Sequence, residues 1–230
     1  SDQTHLVIAF RAFPVRDKRA PVLSVLMGVL GAGMSSRLFQ LVREQMGASY
    51  YINAGADLGT DHGYAAIWTG IDKTRIVEII QALLDECKRL THEKVHDKEL
   101  QKVKDYLVSH MYMGLETTEA LAGFYLNEEV MRGGGRDPKK LEGVLRRVTA
   151  KDLLTLAKDL FQDKKLNLKV GFTPRFQNFL RDATVYAPSG ARMPVKRVDL
   201  VTEQLISMAV SSDLGLPETL SLPRVIQLDY

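Results

Sequence analysis

The hydrophobic period of the chain changes between Ala48 and Met113, and this limits the fold more than any other feature. Ala48–Asp57 alternates, with Ala48, Tyr50, Ile52, Ala54 and Ala56 on one side and Ser49, Tyr51, Asn53 and Asp57 on the other. Gly63–Ile71 continues as a second strand, and the turn-forming stretch GTDHG lies between the two. Such alternation marks half-buried strands, and a glycine-bearing turn joining two of them marks a hairpin. From Lys73 the spacing lengthens to that of a helix. Ile76, Ile79, Ile80, Leu83, Leu84 and Cys87 then form one stripe running to Leu90. A further helix is expected from about Asp97 to Met113. A hairpin with one apolar face, followed by amphipathic helices, buries both by laying the helices on the sheet.

The flanking sequence completes the pattern. Leu6–Phe13 is a short apolar strand closed by Pro14. Asp17 to Leu30 has helical spacing, and Gly31 and Gly33 are expected to stop it. Ser35 or Ser36 can cap a second helix that presents Leu38, Phe39, Val42 and Met46 and ends at Gly47. Past Met113 come a helix over about Thr117–Met131, ending at Gly133-Gly134-Gly135, and a short helix opened by Asp137-Pro138. Thr149 and Asp152 resemble a capping box for a helix reaching Phe161. Leu166–Phe172 alternates as a returning strand. The class predicted is α+β, an antiparallel sheet covered by helices on one face. Residues 1–173 form this domain. After Thr173-Pro174, prolines punctuate a mixed segment, so 174–230 is expected to be an extension of low regularity with a helix near Thr202–Val210.

Composition removes several function classes. The 230 residues are 45% hydrophobic, enough for a sizeable core without staples. A net charge of +3, with bases and acids interleaved, argues against nucleic acid as a partner. The single cysteine, Cys87, excludes an internal disulfide and leaves the compartment open. The longest apolar stretch, Val22 to Ala32, is broken by Ser24, Gly28 and Gly31 and falls far short of a membrane span. A chain that opens directly on HLVIAFRAF is expected to be a piece of a larger protein.

One motif spells a metal site. His92-Glu93-Lys94-Val95-His96 fits H-E-x-x-H, which on one continuous helix gives two imidazoles for zinc and a glutamate base. The context does not supply that helix. The preceding stripe ends at Leu90, the next begins at Leu100, and the residues between are polar. Lys88 and Arg89 suit a helix C-terminus, and His96 or Asp97 suits an N-cap. The motif is therefore expected to straddle a joint. Elsewhere, Gly28, Gly31 and Gly33 follow a helix, not a strand, and form no dinucleotide fingerprint. Arg132-Gly-Gly-Gly-Arg136 suits an anion cradle less well than a helix stop with a flexible turn. Trp68 is expected in the core, His62 in the hairpin turn, and His110 half-buried on its helix.

The stretch GMSSRLFQLVREQMGASYYINAG, Gly33 to Gly55, carries a family resemblance. Ser36-Arg37-Leu38-Phe39-Gln40, Val42-Arg43-Glu44, Gly47 and Tyr50 are similar to the second half-domain of the pitrilysin, insulinase and mitochondrial processing peptidase family, the inverted zincins. Glu99, Leu100 and Lys104, and the VTAKDL helix, extend the likeness from about Leu6 to Phe172. The resemblance implies two homologous halves. The first carries zinc on H-x-x-E-H, a motif missing from this sequence. The second supplies an Arg and a Tyr seven residues apart, the spacing of Arg43 and Tyr50. Read from periodicity alone, Tyr50 is a core residue on the apolar side of its strand, and Arg43 a solvated helix residue pairing with a nearby acid.

Three functions follow. The first is the non-zinc domain of a zinc metallopeptidase, binding peptide through Arg43 and Tyr50 and closing the chamber over a zinc-bearing domain or subunit. Alone it is not expected to hydrolyse peptides, and it is expected to hold no cofactor. Homo- or heterodimers are compatible with this. The second is a proteolytically inactive structural or assembly subunit of the same family. The third is an independent zincin using His92, Glu93 and His96, with Glu116 at an interval resembling the third ligand of thermolysin-like enzymes.

Overall fold

The two-residue rhythm becomes a sheet. The computed structural model describes residues 3–161 and 166–172. β1 (Gln3–Ala12), β2 (Ser49–Leu58) and β3 (Gly63–Asp72) are each ten residues long. β3 pairs antiparallel with β1 on one edge and with β2 on the other. With β4 (Leu166–Phe172) beyond β1, the order is β2-β3-β1-β4. Alternate residues point to opposite faces of a strand. Ala65, Ile67, Thr69 and Ile71 of β3 are wholly buried under the helices, as are Leu6 and Ile8 of β1. On the opposite face Tyr64 and Trp68 remain 44% and 38% exposed.

Six α-helices follow the predicted spacing: α1 (Ala20–Gly31), α2 (Ile76–His92), α3 (Asp97–Met113), α4 (Thr118–Arg132), α5 (Pro138–Arg147) and α6 (Ala150–Leu160). A 3₁₀ turn, Lys73–Arg75, precedes α2, capped by the Asp72 carboxylate on the Thr74 N–H. The capping box on α6 is complete: Thr149 and Asp152 each bond the other's backbone N–H. Elements β1 to α6 lie in one compact unit.

α1 is the centre of the core. Leu23, Leu26 and Leu30 are wholly buried, and the helix packs on β2, α3 and α6. Gly31 is part of this packing, not simply a stop. A Cβ there would lie 2.2 Å from the Ala54 backbone nitrogen, so only glycine lets α1 approach β2 this closely. Ala32, in extended conformation, follows as the C-cap.

Two expectations change. Trp68 is not a core residue: its ring lies on the open face, 2.9 Å from where a Gly55 Cβ would sit. His110 is exposed and stacks on Tyr106 at 4.9 Å between ring centroids. Both follow from faces that the helices leave uncovered. The segment 174–230, and the helix expected near Thr202–Val210, lie outside the described residues.

Candidate functional site

The chain between α1 and β2 is where Arg43 and Tyr50 are set. Ser36 does not cap the helix that follows; its hydroxyl donates to the Gly33 carbonyl at 2.7 Å and closes the turn. After Arg37 and Leu38 the helix widens into a π-helix, Phe39–Gln45. The Met46 N–H reaches back five residues to the Leu41 carbonyl at 3.0 Å. Single π turns are uncommon and concentrate at functional sites. Gly47, at φ 58°, then reverses the chain, and the Ala48 N–H bonds the Val42 carbonyl at 3.0 Å. Arg43 sits in the last turn, exposed, with its guanidinium 4.9 Å above the Phe39 ring. Phe39 in turn packs against the core, so the stacking gives the cation a fixed base.

Tyr50 is displaced by a β-bulge. Ser49 pairs with Ile71 and Tyr51 with Gly70, so Tyr50 is an extra residue without a ladder partner. A bulge re-aims a side chain. Tyr50 is 63% exposed, whereas Ile52, two residues on, is buried. The core alternative for Tyr50 is therefore removed, because the bulge breaks the alternation that grouped it with Ile52 and Ala54. The bulge is pinned from inside. The Ser49 and Thr69 hydroxyls lie 2.7 Å apart, and both reach the Tyr51 carbonyl, at 2.6 and 2.7 Å. Tyr51 is held on the open face by its hydroxyl, 2.8 Å from His5 Nδ1. Neither Arg43 nor Tyr50 is hydrogen-bonded to a described residue, so their donors face solvent.

Two arginines brace this joint, and spacing alone did not reveal them. Arg37 is a half-buried clamp: it donates to both Glu99 oxygens at 2.7 and 2.8 Å and to Glu86 at 2.9 Å. Its bonds to Glu99, aided by those to Glu86, raise its pKa above the ordinary arginine range despite burial. The start of the π-helix is thereby tied to α2 and α3. Arg75 donates to the Met46 carbonyl at 2.8 Å and so satisfies the other end of the same helix. The only sequence signal for Arg37 was its place in SRLFQ.

The H-E-x-x-H residues have ordinary structural work. α2 ends at His92, and Glu93 is its C-cap, paired with Arg89 at 2.8 Å. Val95 is buried and anchors the connection. His96 is the N-cap of α3, its Nδ1 accepting the Lys98 N–H at 3.3 Å. Glu116 follows the far end of α3, and 17 helical residues span about 25 Å. These residues do not fit a zinc ion. Among the described residues no group of three or more His, Cys, Asp or Glu side chains could hold a metal.

An α+β domain with one helix-covered sheet face and an irregular helix-to-strand joint is the class defined so far. Residues 1–107 match the family described as "Peptidase M16 inactive domain". The chain is 27% identical over 163 residues to a Bacillus subtilis protein called "Uncharacterized zinc protease YmxG", covering 71% of this chain and 40% of that protein. A peptidase M16 inactive domain from Pseudomonas fluorescens has the same fold, with a TM-score of 0.64 at 19% identity over 74% of this chain and 41% of that one. A chain of complex III from Candida albicans gives 0.66 at 14% identity, covering 74% and 43% respectively. Over residues 1–107 the chain is similar to the peptidase M16 inactive-domain family, and its fold is that of solved M16 inactive domains. The chain spans about two fifths of the length of the curated relative. No helix among the described residues is long and apolar enough to cross a membrane.

Proposed function

We propose that this domain binds peptide and positions it for a zinc-bearing domain or subunit of the same family, closing the chamber over it. The observation that carries the reading is the paired irregularity around Gly47. A π-helix and a β-bulge, on either side of one turn, present Arg43 and Tyr50 to solvent with unspent donors. Backbone irregularities of this kind persist only where the surroundings over-determine them, as Arg37, Arg75, Ser49 and Thr69 do here.

The chemistry follows from the groups. Arg43 offers rigid N–H donors that suit peptide carbonyls, and its stack on Phe39 limits its travel. The Tyr50 hydroxyl is a neutral donor suited to an oxygen gaining negative charge during peptide cleavage. Both act on the substrate. A zinc ion held in the partner domain would supply the activated water. Residues 1–173 carry this role.

The test is reconstitution with the zinc-bearing half and measurement of peptide cleavage. Tyr50→Phe is expected to lower kcat about 10²-fold, the usual effect of removing one such donor. Arg43→Ala is expected chiefly to raise KM. Cleavage at the unaltered rate in both variants would overturn the substrate role and favour a proteolytically silent assembly subunit.

A further inference from the structure

The loop between α4 and α5 meets the segment entering α1 at a cavity of about 390 Å³. Arg16, Lys18, Arg132 and Arg136 line it, with Pro21 and Val144 as apolar wall. Asp17 also lines it, and Glu128 pairs with two of the lining arginines; both carboxylates are already engaged. Asp17 is spent on Arg19, which it meets at 2.8 Å and whose hydrogen bonds hold its carboxyl below the usual range. Glu128, 5% exposed, is shared between Arg132 Nε and Arg136 Nε at 3.2 Å each. Against the four lining cations stand Asp17, already paired with Arg19, and Glu128, shared by Arg132 and Arg136.

The guanidiniums are fixed from behind. Arg16 Nε donates to the Met131 carbonyl at 3.1 Å, and Arg132 Nη1 donates to the Val15 carbonyl. Arg136 Nη2 is buried and has no hydrogen-bond partner among the described residues. A buried donor left unmade is costly, and in a native protein it calls for an explanation such as a bound ion. Burial and the neighbouring Arg136 charge also hold the Arg132 guanidinium below its ordinary pKa. The loop between Arg132 and Arg136 is built of glycines. Gly133 ends α4 at φ 73° and Gly134 stands at φ 131°, and a Cβ on Gly134 or Gly135 would meet nothing within 4 Å. A helix stop needs one glycine here, not three.

We infer that this cavity is an anion site, taking the dianionic phosphate group of a small phosphate monoester between Arg16, Lys18, Arg132 and Arg136. Planar guanidinium forks match phosphate oxygens. The charge imbalance suits a dianion better than a monoanion, and the cavity has room for the group that carries it. This site is independent of Arg43 and Tyr50.

Inorganic phosphate titrated into the full chain at constant ionic strength is the test, followed by calorimetry and thermal melting. The expected result is saturable binding at one site per chain. Arg136→Ala should weaken it about tenfold or more, the loss of one charge-assisted hydrogen bond, and Arg16→Gln several-fold. Arg43→Ala should leave it unchanged. Should Arg136→Ala not fold, the exposed Arg16 and Lys18 variants carry the same test. A response equal to that of chloride, or one unaltered in these variants, would overturn the site. Tighter binding of malonate than phosphate would overturn the phosphate assignment.

Discussion

The joint from α2 to α3 and the joint from the π-helix to β2 are built on opposite plans. The first contains a sequence that spells a zinc protease, and its geometry is wholly regular: a C-cap, a buried valine, an N-cap. The second spells no metal motif, and its geometry is irregular twice within about ten residues. At the first joint each named side chain but His92 is occupied by its own chain. At the second, Arg43 and Tyr50 are unoccupied while their neighbours are tightly held. A functional pair is recognised here by which side chains the fold leaves free, and by how much structure is spent on aiming them.

If that contrast is right, substitutions behind the second joint should cost far more than substitutions within the first. The largest effect is expected for Arg37→Ala. It leaves Glu86, whose side chain is 9% exposed, with only the longer Arg89 contact at 3.5 Å in place of the Arg37 bond at 2.9 Å. Breaking a buried pair from one side costs about 3 kcal/mol or more. Urea unfolding measures the loss, and a value below about 1 kcal/mol would show that Arg37 is a surface contact and not a clamp.

Thr69→Val should come next. Thr69 is wholly buried, and its hydroxyl reaches the Tyr51 carbonyl at 2.7 Å. Valine keeps the shape and removes the bond, at about 1–2 kcal/mol. The sharper readout is the bulge. Exchange of the amides around Tyr50 should accelerate beyond the global change. If it does not, the hydroxyl pair is not what holds Tyr50 outward.

Most of the fold was legible because most of it obeys period. α3 runs Asp97–Met113 and β4 runs Leu166–Phe172, the same bounds that spacing predicts. Caps were legible too, since Thr149, Asp152 and Asp137 act on their own backbone within three residues. What spacing could not carry was the extra residue at Tyr50. One inserted residue flips the face of everything on one side of it. The cause lies in Thr69, 19 residues later on the facing strand. The Arg37 clamp is hidden for the same reason: its partners, Glu86 and Glu99, are 49 and 62 residues away. Trp68 and His110 were misplaced because a hydrophobic or aromatic residue in a regular element says which face it is on, not whether that face is covered.

At the first joint, His96→Ala removes an N-cap bond that is long, 3.3 Å. About 0.5 kcal/mol is expected, the low end for cap substitutions. His96→Asn should restore or improve stability, because a shorter side-chain acceptor suits the position. A zinc ligand would show the reverse, since asparagine is a poor substitute for imidazole.

The smallest effect is expected for His92→Ala, and it divides the two joints most cleanly. His92 is the last residue of α2 and is exposed, with no hydrogen bond to a described residue. A cation near a helix C-terminus contributes a few tenths of a kcal/mol when charged. The substitution should therefore be close to silent. Two independent measurements are available, unfolding stability and tightly bound zinc per chain. A destabilisation above 2 kcal/mol, or stoichiometric zinc lost in His92→Ala, would reverse the contrast. It would mean that α2 and α3 merge in solution into one helix carrying both imidazoles. Such a helix would have to draw Val95 out of the core and release Glu93 from Arg89. Burial of a valine contributes about 1.5 kcal/mol or more, and a buried anchor is not given up for an exposed turn. A silent His92→Ala beside a costly Arg37→Ala is therefore the outcome the two geometries require.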